Sequence, residues 1–403
     1  MNPFFVYICI MRLHENIEVR EQAGGSRLFG VLADLLRLAL AQADGGSRSA
    51  GTGDGVTRLR NLGSLTEEEW RELLRLANRQ DVVAVAWDGI GRLAQELRPP
   101  RSVAVGWAVH AAGIEARYEA MVSAAEWLGD FSARRGLPEP ILLKGLGLSA
   151  CYPVPSHRRF ADVDIFLPEG YRQLDRALAA EGIPVCDDFH HHTVFVVRHV
   201  MFENHFTLLD GASCRSNRRL ERSVLRCGQG QMRQVTVGKS RFGALPVTQE
   251  AIFLMRHAAV HFTARWIRLR DVCDWTVFVR RHAGDIDWAE FWSVCREFNF
   301  HRFAAAVCRI ASRRLGADER ALRIPADALC GAEELALRIE ADMAACNTQT
   351  PPRRRAMLLA GKLKRYLGSR WKRRVVYSDG EFSLLVNSLW AKVRKPRSLL
   401  LRK

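Results

Sequence analysis

The 403 residues contain no C-x-x-C pair, although cysteine occurs ten times. Several of these cysteines sit among apolar residues at helical spacing. Reduced core thiols in a cytoplasmic setting therefore fit better than a zinc site or a disulfide framework. No stretch approaches the roughly 18 uncharged apolar residues of a membrane-spanning helix. There is no internal repeat, and the only biased tract is a basic one at the end. With 48% apolar and 26% charged side chains, disorder as the dominant state is excluded and core material is ample. The opening MNPFFVYICIM is apolar but lacks a basic leader and a small-residue cleavage site, so it is not expected to be an export signal. Either Met11 is the true start or these residues make a short buried strand.

Acids are scarce toward the other end. Residues 353–403 carry 16 Lys and Arg against Asp379 and Glu381, and the rest of the chain is nearly neutral within a total of +16. The basic residues alternate with Leu, Trp and Tyr. That pattern suits nucleic-acid phosphate, an anionic membrane surface, an acidic partner, or a solvated helix.

Hydrophobic spacing divides the chain into five stretches. Residues 1–59 hold a helix over 27–43 and a glycine-rich loop over 43–55. Residues 60–138 are helical: Thr66 and Glu69 form a capping-box pattern, and helices over 81–97 and 103–135 are stopped by Pro99 and Pro100 and by Gly136 and Pro138. Residues 139–247 change character. There PILLKG is a short apolar run, LGLSACY makes two helical turns, RRFADVDIFLP reads as a strand, and 169–182 is helical. HHHTVFVVRH and VMFENHFTLL then alternate like two antiparallel strands joined at Arg198 and His199. Residues 248–350 form a helical bundle, and 351–403 a basic amphipathic tail. The expected class is α+β, a small mixed sheet flanked by helices on both sides in sequence.

The chemistry concentrates in the middle stretch. Asp162 and Asp164 lie two apart in an apolar run, so a strand places both carboxylates on one face, where a shared Mg²⁺ or Mn²⁺ would relieve their repulsion. An aspartate capping a turn beside a solvated one is the plainer alternative. Lys144 and Gly145 end one strand and begin a helix, a geometry that attracts phosphate. Arg158, four residues before the first acid, can reach the same oxygens. Glu203 sits mid-strand, where a charge is costly unless paired or bound to metal. Together these residues suggest metal-assisted phosphoryl chemistry.

The segments LLKGLGLSACYPVPSHRRFADVDIFLP, FENHF and HAAVHF with IRLRDVCDW resemble the uncharacterised nucleotidyltransferases of the DNA polymerase β superfamily, over roughly residues 60–400. The resemblance implies a nucleotidyltransferase core in which Asp162, Asp164 and Glu203 bind metal and act in catalysis, while Lys144, Gly145 and Arg158 contact the NTP. It implies transfer of a nucleoside monophosphate to an unknown hydroxyl acceptor with release of pyrophosphate. One departure stands out: compact members place a Gly-Ser pair about ten residues before the first acid, whereas here Gly145 is 17 residues away and Leu146 follows it. A catalytically silent nucleotide-binding or partner-binding module on the same fold is the alternative.

Three other signals compete. Gly145-x-Gly147-x-x-Ala150 superficially fits a dinucleotide fingerprint, but Pro153 cuts the helix short. His257 and His261 share a helix face, yet Ala258 stands where a zinc protease needs glutamate, so a satisfied or nucleotide-facing pair is expected. His190, His191 and His192 could bind a transition metal or simply start a strand with one ring inward. Arg268 and Arg270 are expected in structural ion pairs, while the family resemblance implies that their helix faces the cleft, where either could assist the nucleotide.

Overall fold

In the computed structural model, the described residues are 27–41, 65–187, 189–227, 232–264, 266–345 and 366–394. The alternatives for residues 1–11 and the glycine-rich loop at 43–55 fall outside them. Four helices come first: α1 (residues 27–40), α2 (Glu67–Arg79), α3 (Val83–Gly91) and α4 (Arg101–Arg134). Thr66 starts α2 with both halves of the capping box in place, its hydroxyl accepting from Glu69 N and Glu69 accepting from Thr66 N. The helix expected over 81–97 ends early at Gly91, and Arg98 donates to the carbonyls of Leu93 and Gly91 there. Gly89 is required in α3, because a Cβ would stand 2.1 Å from the Leu35 carbonyl oxygen of α1.

The middle of the chain builds one mixed sheet. Its strands are β1 (Ile141–Leu142), β2 (Val163–Phe166), β3 (Val185–Cys186), β4 (His192–Val197), β5 (Val200–His205), β6 (Arg233–Val237) and β7 (Ser240–Ala244), in the order β3-β4-β5-β2-β1-β7-β6. Strands β2 and β5 are parallel, as are β1 and β7, and the other pairs are antiparallel. The helices between strands are α5 (Lys144–Ser149), α6 (Tyr171–Ala180) and α7 (Arg215–Cys227). The β4–β5 hairpin turns at Arg198 and His199, with φ of 50° and 61°. Two consecutive left-handed residues are what a tight two-residue hairpin requires. The sequence patterning did not mark β3, α7 or the β6–β7 hairpin.

Helices α8 (Val247–Ala264), α9 (Leu269–His282), α10 (Trp288–Glu297), α11 (His301–Leu315), α12 (Ala326–Leu329) and α13 (Ala332–Ala344) follow, and α14 (Arg370–Arg374) and α15 (Glu381–Arg394) lie in the basic tail. The protein is therefore α+β, as expected. Two apolar cores hold it together. One joins α1–α3, the start of α4 and α8–α13, so the helical stretches at either end of the sequence share an interior. The other lies between one face of the sheet, α6 and the end of α4, where Met121, Ala124, Leu128 and Phe131 meet Val163, Ile165 and Phe202. Helix α4, 34 residues long, thus serves both.

Part of the tail belongs to the body. Lys372 lies 2.6 Å from Asp342, and Arg373 pairs with Glu381 at 2.8 Å. The fully buried Arg256 of α8 donates to the Val376 carbonyl (2.6 Å) and to Asn217, and stacks on Tyr377. Cys214, Cys273, Cys295 and Cys308 are buried free thiols. Among the described residues no helix is long and apolar enough to cross a membrane.

His157 ties α3 to α4: its Nδ1 is 2.7 Å from Asp88 and its Nε2 2.6 Å from Glu115. Both nitrogens can donate only as the imidazolium. Burial works against that charge, but the two carboxylates outweigh it and raise the pKa. A raised folded-state pKa gives stability that is complete below the unfolded value of about 6.5 and is lost as pH climbs through the raised one. In chemical denaturation, His157→Ala should therefore cost on the order of 1–3 kcal/mol near pH 6 and progressively less in alkaline buffer. A deficit that does not change with pH would rule out the ion-pair account.

Candidate active site

Period two decides which side chains meet. In the parallel β2–β5 pairing Val163 faces Phe202, Asp164 faces Glu203, and Phe166 faces His205. Val163, Ile165 and Phe202 enter the core under α4 and α6. Asp164, Glu203 and His205 consequently share the opposite face, and His192, directly across from His205 on β4, joins them.

Asp164 is 2% exposed. Lys144 Nζ lies 3.1 Å from its Oδ2, and His205 Nε2 lies 3.1 Å from its Oδ1. Burial opposes ionisation of Asp164, but the ammonium and the imidazole outweigh it and hold the carboxyl well below the usual carboxylate range. Burial likewise opposes the charge on Lys144, and Asp164, Asp162 and Glu203 outweigh it to raise the lysine's pKa. His205 is raised too: against burial stand its bonds to Asp164 and to Glu203, the latter at 3.4 Å. The turn that delivers Lys144 is strained. Its φ is 25°, and Gly145 follows at φ 44° and ψ −115°, a conformation open essentially to glycine.

A cleft of about 210 Å³ opens over these residues. One wall consists of Lys144, Gly145, Asp162 and Asp164. Asp162 lies one residue before β2, in a bend, rather than on the strand itself, yet it reaches the same cleft as Asp164. Glu203 stands beside Asp164 but not on that wall, and it is buried behind it. Helix α5 is only six residues long and is broken at Gly145, so the helix dipole expected to attract phosphate is short, and the positive charge at this turn is that of Lys144.

The opposite wall comes from α8 and α9 and includes His257, His261, Arg270 and Asp274. The rings of His257 and His261 are 3.2 Å apart, Nε2 to Nε2, so one nitrogen donates and the other accepts. Burial, reinforced by Lys144, His261 and Arg270, pushes His257 far below the ordinary histidine value and keeps it neutral. Arg270 lies 3.1 Å from Asp81, with which Arg268 also pairs, so both arginines have structural partners.

Arg158 does not stand free in the cleft. Its Nε and Nη2 donate to the two oxygens of Asp274 at 2.8 and 2.7 Å, and Tyr152 donates to the same carboxylate at 2.6 Å. Only its buried Nη1 lacks a hydrogen-bond partner among the described residues. Patterning alone did not reveal this trio, because the acid lies 116 positions from the arginine. The two acids three apart in LRDVCDW were the available signal.

The chain belongs to a family described as uncharacterised nucleotidyltransferases, whose sequence profile matches residues 66–316. No curated protein and no solved structure matches the chain significantly. The matched span runs from Thr66, the cap of α2, to Gly316, the left-handed residue that ends α11.

Removing one member of a buried ion pair strands the other. Asp274→Ala should cost about 3–5 kcal/mol in urea unfolding. Replacing Tyr152, Arg158 and Asp274 together by Phe, Met and Leu should cost clearly less. A combined loss equal to the sum of the single losses would show that the three do not act as a unit.

Proposed function

We propose that the chain is a metal-dependent nucleotidyltransferase that moves a nucleoside monophosphate from an NTP to a hydroxyl acceptor and releases pyrophosphate. The observation that carries this reading is the convergence of Asp162, Asp164 and Lys144 on one cleft wall, with Glu203 held against Asp164 by strand register. The donor set fits a divalent cation: Asp164 and Glu203 offer oxygens within 4.8 Å of one another, and Asp162 adds a carboxylate from the same cleft as Asp164. Carboxylate oxygens suit Mg²⁺ or Mn²⁺. When bound, such ions lower the pKa of the acceptor hydroxyl and neutralise the triphosphate.

The chain's own groups supply the rest. Asp162 and Asp164 are the ligands on the cleft wall, and Glu203 is the third acid behind them. Lys144 offers an ammonium to phosphate oxygens, and Gly145, at φ 44°, lets the backbone make the turn that places it there. Arg158, clamped by Asp274, retains Nη1 for an anion. His257, neutral and on the far wall, can hydrogen-bond the nucleotide without adding charge. In the tail, Lys372 and Arg373 have internal partners, so binding of a nucleic acid or an anionic membrane would fall to the other basic residues of 353–403.

Pyrophosphate release measured with Mg²⁺ and a panel of NTPs tests this. Asp162→Asn, a change at a half-buried position, should lower release at least about 10²-fold while leaving the thermal midpoint near that of the parent. Asp164→Asn should abolish release. Undiminished release by Asp162→Asn would remove the mechanism, and binding of Mg·NTP without release by the parent chain would favour a catalytically silent nucleotide-binding module.

A further inference from the structure

We propose that His191, His192 and His205 form a site for a transition-metal cation of the zinc class, distinct from the carboxylates that would hold Mg²⁺. The three side chains offer ligand atoms within 4.8 Å of one another. His192 and His205 are directly opposed across β4–β5, with ring centroids 5.0 Å apart, and His191 lies 4.4 Å from His192 and 5.3 Å from His205. Metal–imidazole bonds of about 2.0–2.1 Å bring coordinating nitrogens to roughly 3.3 Å from one another, a contraction that side-chain rotation can supply.

Burial and the neighbouring groups favour a ligand here. His192 is fully buried, and the Phe189 ring stacks on it at 4.4 Å. His205 is 5% exposed, and its two nitrogens differ. Nε2 is engaged by Asp164 and Glu203, whereas Nδ1 is buried and has no hydrogen-bond partner among the described residues. A histidine that gives one N–H to a carboxylate and keeps its other nitrogen buried has the outer-shell arrangement of a carboxylate–histidine–metal triad, and His192 Nε2 likewise lies 3.7 Å from Glu203 Oε1. Donor chemistry separates the two sites: imidazole nitrogens suit Zn²⁺, Co²⁺, Ni²⁺ and Cu²⁺, while carboxylate oxygens suit Mg²⁺ and Mn²⁺. A cation on the histidines would fix the proton of His205 on Nε2, aimed at Asp164, and so hold that carboxylate's orientation. The inference does not depend on the transfer reaction.

The full chain, stripped of metal by a chelator, is titrated with Co²⁺ as the spectroscopic probe. The expected result is one Co²⁺ per chain with the visible absorption of a low-coordinate, nitrogen-ligated ion. His191→Ala and His192→Ala should each weaken binding at least about tenfold, while His110→Ala, at an exposed histidine of α4, should bind as the parent does. His191 is the half-buried member, so its variant keeps the test valid if the His192 variant fails to fold, as judged by circular dichroism. Failure of the parent to bind Co²⁺ would overturn the proposal. So would binding that survives His191→Ala but is lost in Asp164→Asn, which would place the ion among the carboxylates. Loss of pyrophosphate release with cobalt binding intact would count against the transfer reading alone.

Discussion

Asp164 keeps its charge in an almost sealed position because Lys144 and His205 hold its two oxygens, each at 3.1 Å. An uncompensated carboxylate at that depth would be strongly penalised, and a second acid beside it would add repulsion. Glu203 is that second acid, brought alongside by the parallel pairing of β2 with β5. The cluster survives because cationic and acidic groups alternate: Lys144, Asp164, His205, Glu203. The strained turn at Lys144 and Gly145 follows from the same need, since the chain must leave β1 at an angle that returns the ammonium over β2. Leu143 N donates to the Asp164 carbonyl at 3.0 Å and fixes the departure point of that turn.

The sheet divides labour between its faces. Its apolar face is sealed by α6 and the end of α4, where Asn204 and Thr193 both donate to Asp175 and orient α6. Its polar face would be left open to water without α8 and α9, which supply the second wall of the cleft. The Tyr152–Arg158–Asp274 trio links that wall to the sheet, because Arg158 precedes β2 and Asp274 lies on α9. The arginine expected to meet substrate directly is therefore first a bolt between two walls.

Much of this was legible in the sequence wherever local pattern and burial agree. The capping box at Thr66, the strand carrying Asp164, the hairpin at Arg198 and His199, and the charged Glu203 inside an apolar strand are all local signals. The α+β class follows from them. The β6–β7 hairpin escaped because its strands are only five residues each, and RQVTV, though its burial alternates, offers just two apolar side chains. The mate of Arg158 escaped because ion pairs between distant segments leave no periodic trace. Asp162 shows the limit of period-two reasoning, since two acids spaced for one strand face reached a common cleft with only one of them on the strand.

The same limit applies to the tail. Its charge density reads as a surface for polyanions, yet residues 371–379 complete the body. Asp379 accepts from the Arg215 and Ser216 backbone N–H groups at the start of α7, where a carboxylate offsets the helix dipole. The Val376 carbonyl accepts from Arg256, the residue immediately before His257 of the cleft wall. A buried guanidinium needs several acceptors to offset its desolvation, and those of Arg256 come from α7 and the tail together. Helix α8, which carries His257 on the cleft wall, is therefore tied through Arg256 to Val376, a residue beyond the span shared with the family.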